Sequence, residues 1–278
     1  MTYCTIIHRA ALPPGQRENL AKSGSIEQGS GYLLLRHRNP LDLENLRQTL
    51  GCDINTLPLD FDPSQVKLFV TDLDSTLVTT ETIDELAAML GLREQVSAIT
   101  EKAMAGELDF AAALKERVSL LEGLPETVLA QVFAEKMTLS PGAKETLVWL
   151  KQQGITIAVV SGGFTFFTDR LRQIHPIDAT LACQLEIKQG RLTGRLTGTI
   201  VDKNIKAAFL QQMSKKLAIS LHQAVAMGDG ANDIPMLAMA GLGIAYHGHG
   251  ITRHHADVLI DHGDWRDVRY LLLDGLND

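Results

Sequence analysis

The chain has 278 residues, 45% apolar and 21% charged, enough to fill one large domain or two modest ones. Twenty-six Lys and Arg against 33 Asp and Glu give a net charge of −7, which argues against nucleic acid or an anionic membrane as the main partner. No stretch approaches the ~20 apolar residues that cross a bilayer, and the opening MTYCTIIHRAALPPG lacks the pattern of a secretory signal.

Residues 1–65 read as a small α+β segment. YCTIIHR and GYLLLRHR pattern as strands and LDLENLRQTLG as a helix ended by Gly51, with loops expected at Pro13-Pro14-Gly15 and along SGSIEQGSG. LPLDFDPSQ then reads as a linker. Residues 66–77, VKLFVTDLDSTL, begin with a short apolar run of β-formers, the pattern of a strand buried on both faces. From 81 to 137 the pattern turns helical in four segments: ETIDELAAMLG, REQVSAITEKAMAG, FAAALKERVSLLEG and ETVLAQVFAEKM. A helical insert placed directly after this strand suggests a cap. Beyond Pro141-Gly142, strands and helices alternate, with a hairpin turn expected at Gln189-Gly190. Such alternation predicts an α/β fold: a Rossmann-like parallel sheet with helices on both faces. Cys4, Cys52 and Cys183 are scattered and lack C-x-x-C spacing, so they read as free thiols in a reducing cytoplasm.

Three strand ends carry polar residues. The first is Asp72-x-Asp74, at the carboxyl edge where open α/β sheets bind ligands. The second is Ser161-Gly162-Gly163, a hydroxyl with unhindered N–H groups expected at a helix start, which would cradle phosphate. The third is Gly228-Asp229-Gly230-Ala231-Asn232-Asp233. Close-set carboxylates repel, and a divalent cation is the usual compensation; oxygen ligands favour magnesium. Each piece also has a plain reading: Asp233 as a helix N-cap, S-G-G as a tight turn, Lys206 as one of several solvated helix lysines.

VTDLDSTL, VSGGF, a lysine in NIKAAF and MGDGAND resemble the four motifs of the haloacid dehalogenase (HAD) superfamily. ETIDELA, GELDF, LKERVSLL, SGGFTFF and GDGANDIPM are further similar to its phosphoserine phosphatase branch, over about residues 66 to 260. The resemblance implies a HAD core of residues 66–80 and 138–278 and a helical cap of residues 81–137. Residues 1–65 lie outside it and would be a reduced ACT-like front segment. It implies hydrolysis of O-phospho-L-serine, the last step of L-serine biosynthesis, in the cytoplasm. Asp72 would be the nucleophile and Asp74 the acid–base group. Asp72, Asp74, Asp229 and Asp233 would serve Mg2+, and Ser161, Gly162, Asn232 and Lys206 the phosphoryl group. Glu81 would meet the substrate ammonium and Arg117 its carboxylate, with Met104 and Phe110 lining the cap side. Without the resemblance, the last four read as an ordinary helix acid, a surface arginine and helix core.

Several alternatives stay open at this stage. The acceptor could be an alcohol instead of water, the substrate another small phosphorylated metabolite, or the chain a non-catalytic serine-sensing protein. Oligomeric state is equally open, a homodimer included. HGHGITRHH, read as a loop, departs from the A-K-P common at this place in the family, and its spacing of His247, His249, His254 and His255 is loose for a metal site.

Overall fold

Two hydrophobic clusters organise the molecule, whose computed structural model describes residues 2–104 and 108–273. The smaller cluster, around Ile7, Leu33, Leu35 and Ile54, belongs to the N-terminal segment. There β1 (Tyr3–Ile7), α1 (Pro14–Ala21), β2 (Gly24–Gln28), β3 (Leu33–His37), α2 (Leu43–Leu50) and β4 (Ile54–Thr56) follow one another. The strands pair antiparallel in the order β2-β3-β1-β4, the split βαβ arrangement. Gly51 ends α2 in the left-handed conformation, as expected.

Two loop expectations fail here. Pro13-Pro14-Gly15 opens helix α1, because a proline at the first helical position gives up an N–H that would have no partner there. Within SGSIEQGSG, Gly24–Gln28 is an edge strand. Its one large apolar residue, Ile26, gave alternation too little to register.

The larger cluster surrounds a seven-stranded sheet in the order β11-β10-β9-β5-β6-β7-β8. Its first strand is β5 (Leu68–Thr71), in the middle, with every residue fully buried. Because successive side chains point to opposite faces, this strand is covered on both sides. Four helices follow: α3 (Thr82–Ala88), α4 (Arg93–Met104), α5 (Phe110–Ser119) and α6 (Thr127–Glu135). They hang from a short antiparallel stem. Val78 pairs with Leu139, and Ser140 N donates to Leu77 O, so the chain leaves and re-enters the sheet layer at one place.

The remaining elements are α7 (Ala143–Gln152), β6 (Thr156–Phe164), α8 (Thr165–Ile174), β7 (Ala179–Lys188), β8 (Arg191–Thr197), α9 (Lys203–Lys216), β9 (Ala224–Gly228), α10 (Ile234–Met239), β10 (Leu242–Tyr246), α11 (Gly250–His255), β11 (Val258–Ile260) and α12 (Asp267–Leu271). All neighbouring strands of this sheet run parallel except β7 and β8. Those two form the expected hairpin, with Gln189 and Gly190 both at positive φ, as a two-residue type I′ turn requires. HGHGITRHH contains a six-residue helix, α11, where a loop was expected. Among the described residues, no helix is long and apolar enough to cross a membrane.

The N-terminal sheet is clasped to the edge of the large one. Fully buried Asn55 donates from Nδ2 to Leu259 O at 2.8 Å and accepts from Leu259 N at 2.9 Å. Asp53 accepts backbone N–H groups of Asp261, His262 and Gly263 at 2.9–3.1 Å. Asn55→Ala leaves two main-chain groups of buried Leu259 unpaired and should lower unfolding free energy by about 2–6 kcal/mol in denaturant titration, at roughly 1–3 kcal/mol per group.

Candidate active site

Parallel strands end at one edge, so β5, β6 and β9 deliver Asp72, Ser161-Gly162-Gly163 and Asp229 to the same place. Asp72 N still donates to Met227 O at 2.9 Å, extending the pairing with β9 one residue past the strand. The chain then makes a turn over Leu73–Leu77, closed by Val78 N donating to Leu73 O at 2.9 Å, in which Asp74 is extended and Ser75 takes a left-handed φ of 53°. A non-glycine residue in that region is strained by about 1 kcal/mol or more. The turn brings Asp74 back over the sheet edge and points Thr76 at Asp229, with Thr76 Oγ1 donating to Asp229 Oδ1 at 2.9 Å. Trp265 Nε1 and Ser140 Oγ both donate to Thr76 O, at 2.8 and 2.7 Å, which fixes the turn from behind.

The two glycines after Ser161 do something other than start a helix. β6 runs on to Phe164, with a bulge between Ser161 and Phe164, and α8 begins only at Thr165. A bulge re-aims side chains at a strand end, and here it turns Ser161 Oγ toward Asp74 Oδ2 at 3.4 Å.

Asp72, Asp229 and Asp233 are all buried, with carboxylate oxygens within 4.8 Å of one another. Asp233 stands at the N-cap of α10 but makes no capping bond with its side chain. Instead its Oδ2 accepts from Gly230 N at 3.1 Å, and its Oδ1 meets Lys206 Nζ at 2.7 Å. Lys206 is completely buried, which excludes the solvated-lysine reading, and its Nζ also lies 2.9 Å from Asp72 Oδ1. Asp202 caps α9 by accepting from Asn204 and Ile205 N–H, setting the first turn that aims Lys206 inward.

The electrostatics follow from burial. Desolvation, then Asp233, pushes Asp72 up to about 7, against the pull of Lys206. Desolvation, with Glu81 and then Asp72, pushes Asp74 up to about 8. Burial, with Asp72 and Asp233, holds Asp229 well above the usual carboxylate range. Burial lowers the Lys206 ammonium, but Asp233 and Asp72 outweigh it and the net shift is upward. One cation against three close carboxylates leaves negative charge uncompensated. An all-oxygen set of this size fits a hard divalent ion. The side chain of Asp74 is not in that set; it accepts from Thr82 N at 2.9 Å and faces Ser161.

Asp72, Asp74, Ser161 and Asp229 line a cleft of about 860 Å3 that also holds Glu81, Phe110, Arg117, Gly162 and Asn232, whereas Lys206 and Asp233 are fully buried and are not among its lining residues. Arg117 is buried rather than on the surface, donating to Thr100 Oγ1 at 3.2 Å and Ala113 O at 3.4 Å. Those bonds use two of its five N–H groups. Glu81 is exposed, its Oε1 accepting from Ser75 Oγ at 2.7 Å. Phe110 packs so close to Gly162 that a Cβ there would lie 2.8 Å from the ring. The side chain of Met104 lies outside the described residues. Of the four histidines, His249 reaches the cleft, with Nε2 3.8 Å from Asp229 Oδ2, and among the described residues no histidine joins a metal-binding group. Thr76, Thr82 and His249 were missed as site residues. Thr76 had a signal in its place inside D-x-D-S-T, whereas Thr82 looks like any first-turn threonine.

The sequence and fold are similar to those of known proteins. A family model described as haloacid dehalogenase-like hydrolase matches residues 69–238. A phosphoserine phosphatase from Archaeoglobus fulgidus is 46% identical over 210 residues, 76% of this chain. The chain spans 61% of that relative's own length. A phosphoserine phosphatase from Haemophilus influenzae is 41% identical over 229 residues, 82% of this chain and 73% of the relative. The crystal structure of a HAD family hydrolase from Salmonella enterica serovar Typhi superposes with a TM-score of 0.88 at 30% identity, covering 99% of this chain and 100% of that one. The chain belongs to the haloacid dehalogenase-like hydrolases.

Proposed function

We propose that the chain is a magnesium-dependent phosphoserine phosphatase, releasing L-serine and phosphate through a phosphorylated Asp72. The observation that carries this reading is the meeting, in one cleft, of Asp72, Asp74 and Asp229 with Glu81 and Arg117, opposite charges suited to an amino acid. The names of the Archaeoglobus and Haemophilus relatives support it. The βαββαβ order of residues 1–65 supports reading them as an ACT-like module, and the stem-borne helices of residues 81–137 support reading them as a cap.

Asp72 attacks phosphorus, forming an acyl phosphate as the bond to the serine oxygen breaks. Asp74, half-buried and with its pKa raised by desolvation, Glu81 and Asp72, gives its proton to that oxygen. In the second step Asp74 takes a proton from water, which attacks phosphorus and frees Asp72. Lys206 holds the Asp72 carboxylate in one orientation and offsets part of its charge. Ser161, Gly162 and Asn232 line the phosphoryl end, and the buried Arg117 offers its remaining N–H groups to the substrate carboxylate. Asp72, Asp229 and Asp233, with the Asp74 carbonyl, would hold magnesium, whose charge neutralises the carboxylates and the phosphoryl oxygens.

The direct test is phosphate release from phosphoserine with and without Mg2+. Asp72→Asn should reduce kcat by about 10⁴-fold or more, while circular dichroism stays that of the wild type. Arg117→Ala should raise KM for phosphoserine by roughly 10–100-fold, the value of a charged hydrogen bond, and leave KM for p-nitrophenyl phosphate within about threefold. Mg2+ at about a hundredfold its Kd should stabilise the protein by about 2.7 kcal/mol, seen as a higher melting temperature, and Asp229→Asn should abolish that rise.

A further inference from the structure

Glu81 and Arg117 carry opposite charges and line one cleft, and of the charges acting on Arg117 that of Glu81 is the strongest, followed by Asp84 and Asp74. A guanidinium and a carboxylate so placed tend to close into a bidentate pair. Among the described residues, no hydrogen bond joins these two; each is held by a hydroxyl instead. Ser75 Oγ donates to Glu81 Oε1 at 2.7 Å. Arg117 Nη1 donates to Thr100 Oγ1 at 3.2 Å, and that hydroxyl donates onward to Val96 O at 3.1 Å, which sets its direction.

Neither hydroxyl is called for by packing. Thr100 is half-buried on α4 and lines the cleft, and valine would fill the same volume there. Ser75 sits in the left-handed conformation that glycine takes freely, and the side chain that keeps this strain is the one bonded to Glu81. The two anchors also lie on separate pieces of chain. Ser75 belongs to the turn that carries Asp74, whereas Thr100 and Arg117 face each other from α4 and α5. The bonds to Glu81 and Arg117 therefore fix one charge at the sheet edge and the other among the helices above it.

We propose that Ser75 and Thr100 are positioning residues for substrate selection, their hydroxyls holding Glu81 and Arg117 apart so that a zwitterionic phosphate ester satisfies both charges. This rests on the phosphatase reading above, with the substrate ammonium at Glu81 and its carboxylate at Arg117. Without the Thr100 hydroxyl the guanidinium turns to Glu81 or Asp84, and substrate must break that pair before it binds. Thr100 bonds only to Arg117 and to its own helix, so a phosphate ester lacking the two charges is indifferent to its loss.

The test is steady-state kinetics of the full chain with Mg2+ on phosphoserine and on p-nitrophenyl phosphate, which has neither ammonium nor carboxylate. Thr100→Val should raise KM for phosphoserine by about 5–20-fold, the scale of a lost hydrogen bond to a charged group. KM for p-nitrophenyl phosphate should stay within about threefold, and Thr100→Ser should bring KM for phosphoserine back to within about threefold of the wild type. Ser75→Ala should raise KM for phosphoserine by about 3–10-fold. Each hydroxyl acts through its charged partner, so adding Thr100→Val to Arg117→Ala, or Ser75→Ala to Glu81→Gln, should change KM by less than about twofold. A hydroxyl that only supports the fold would move both substrates alike and keep its effect in the double variants. Either result, or an unchanged KM for phosphoserine in Thr100→Val, would overturn the proposal. A wild-type chain that cleaves p-nitrophenyl phosphate but not phosphoserine would instead refute the phosphoserine reading, and the proposal with it.

Discussion

The fold is arranged to keep three carboxylates close together where water cannot separate them. Asp72, Asp229 and Asp233 repel one another in a setting that already penalises ionisation. Lys206 is the protein's own answer, a fully buried ammonium bonded to two of the three. Its reach to both depends on α9 lying against the strands that carry them. The remaining charge imbalance suits the set to a hard cation.

The second constraint is mechanical. The helices between Thr82 and Glu135 hang from a stem only a few residues wide, where Val78 faces Leu139. The stem begins immediately after the turn that carries Asp74, and Glu81 and Thr82 follow it. Asp72, Asp74 and Glu81, all lining the cleft, therefore share one short span of backbone. The strained Ser75 lies inside that span and is tied by its hydroxyl to Glu81.

Much of this was legible because it is periodic or locally marked. The buried strand before Asp72, the four helices between Thr82 and Glu135 and the Gln189-Gly190 turn each announce themselves by hydrophobic spacing or turn chemistry. The acids and glycines of the site were visible as clusters at strand ends. What sequence hid was decided by tertiary contact. Lys206 looks like its neighbours Lys203 and Lys215, and only the packing of α9 buries it. Ser161-Gly162-Gly163 has the composition of a helix-start cradle, yet pairing with β7 keeps it in the strand as a bulge. β2 was lost because an edge strand with one large apolar residue has no pattern to detect. Thr82 was lost because its bond to Asp74 is made by the backbone N–H, which any residue carries.

Asn55 acts on β11 in place of a neighbouring strand, satisfying one N–H and one C=O on the outermost rung of the parallel sheet. An open rung of that kind is a template for pairing with another chain. Covered by the front segment, this rung is closed to such pairing. That closure depends on the clasp alone and would persist even in a molecule whose cleft had lost all chemistry.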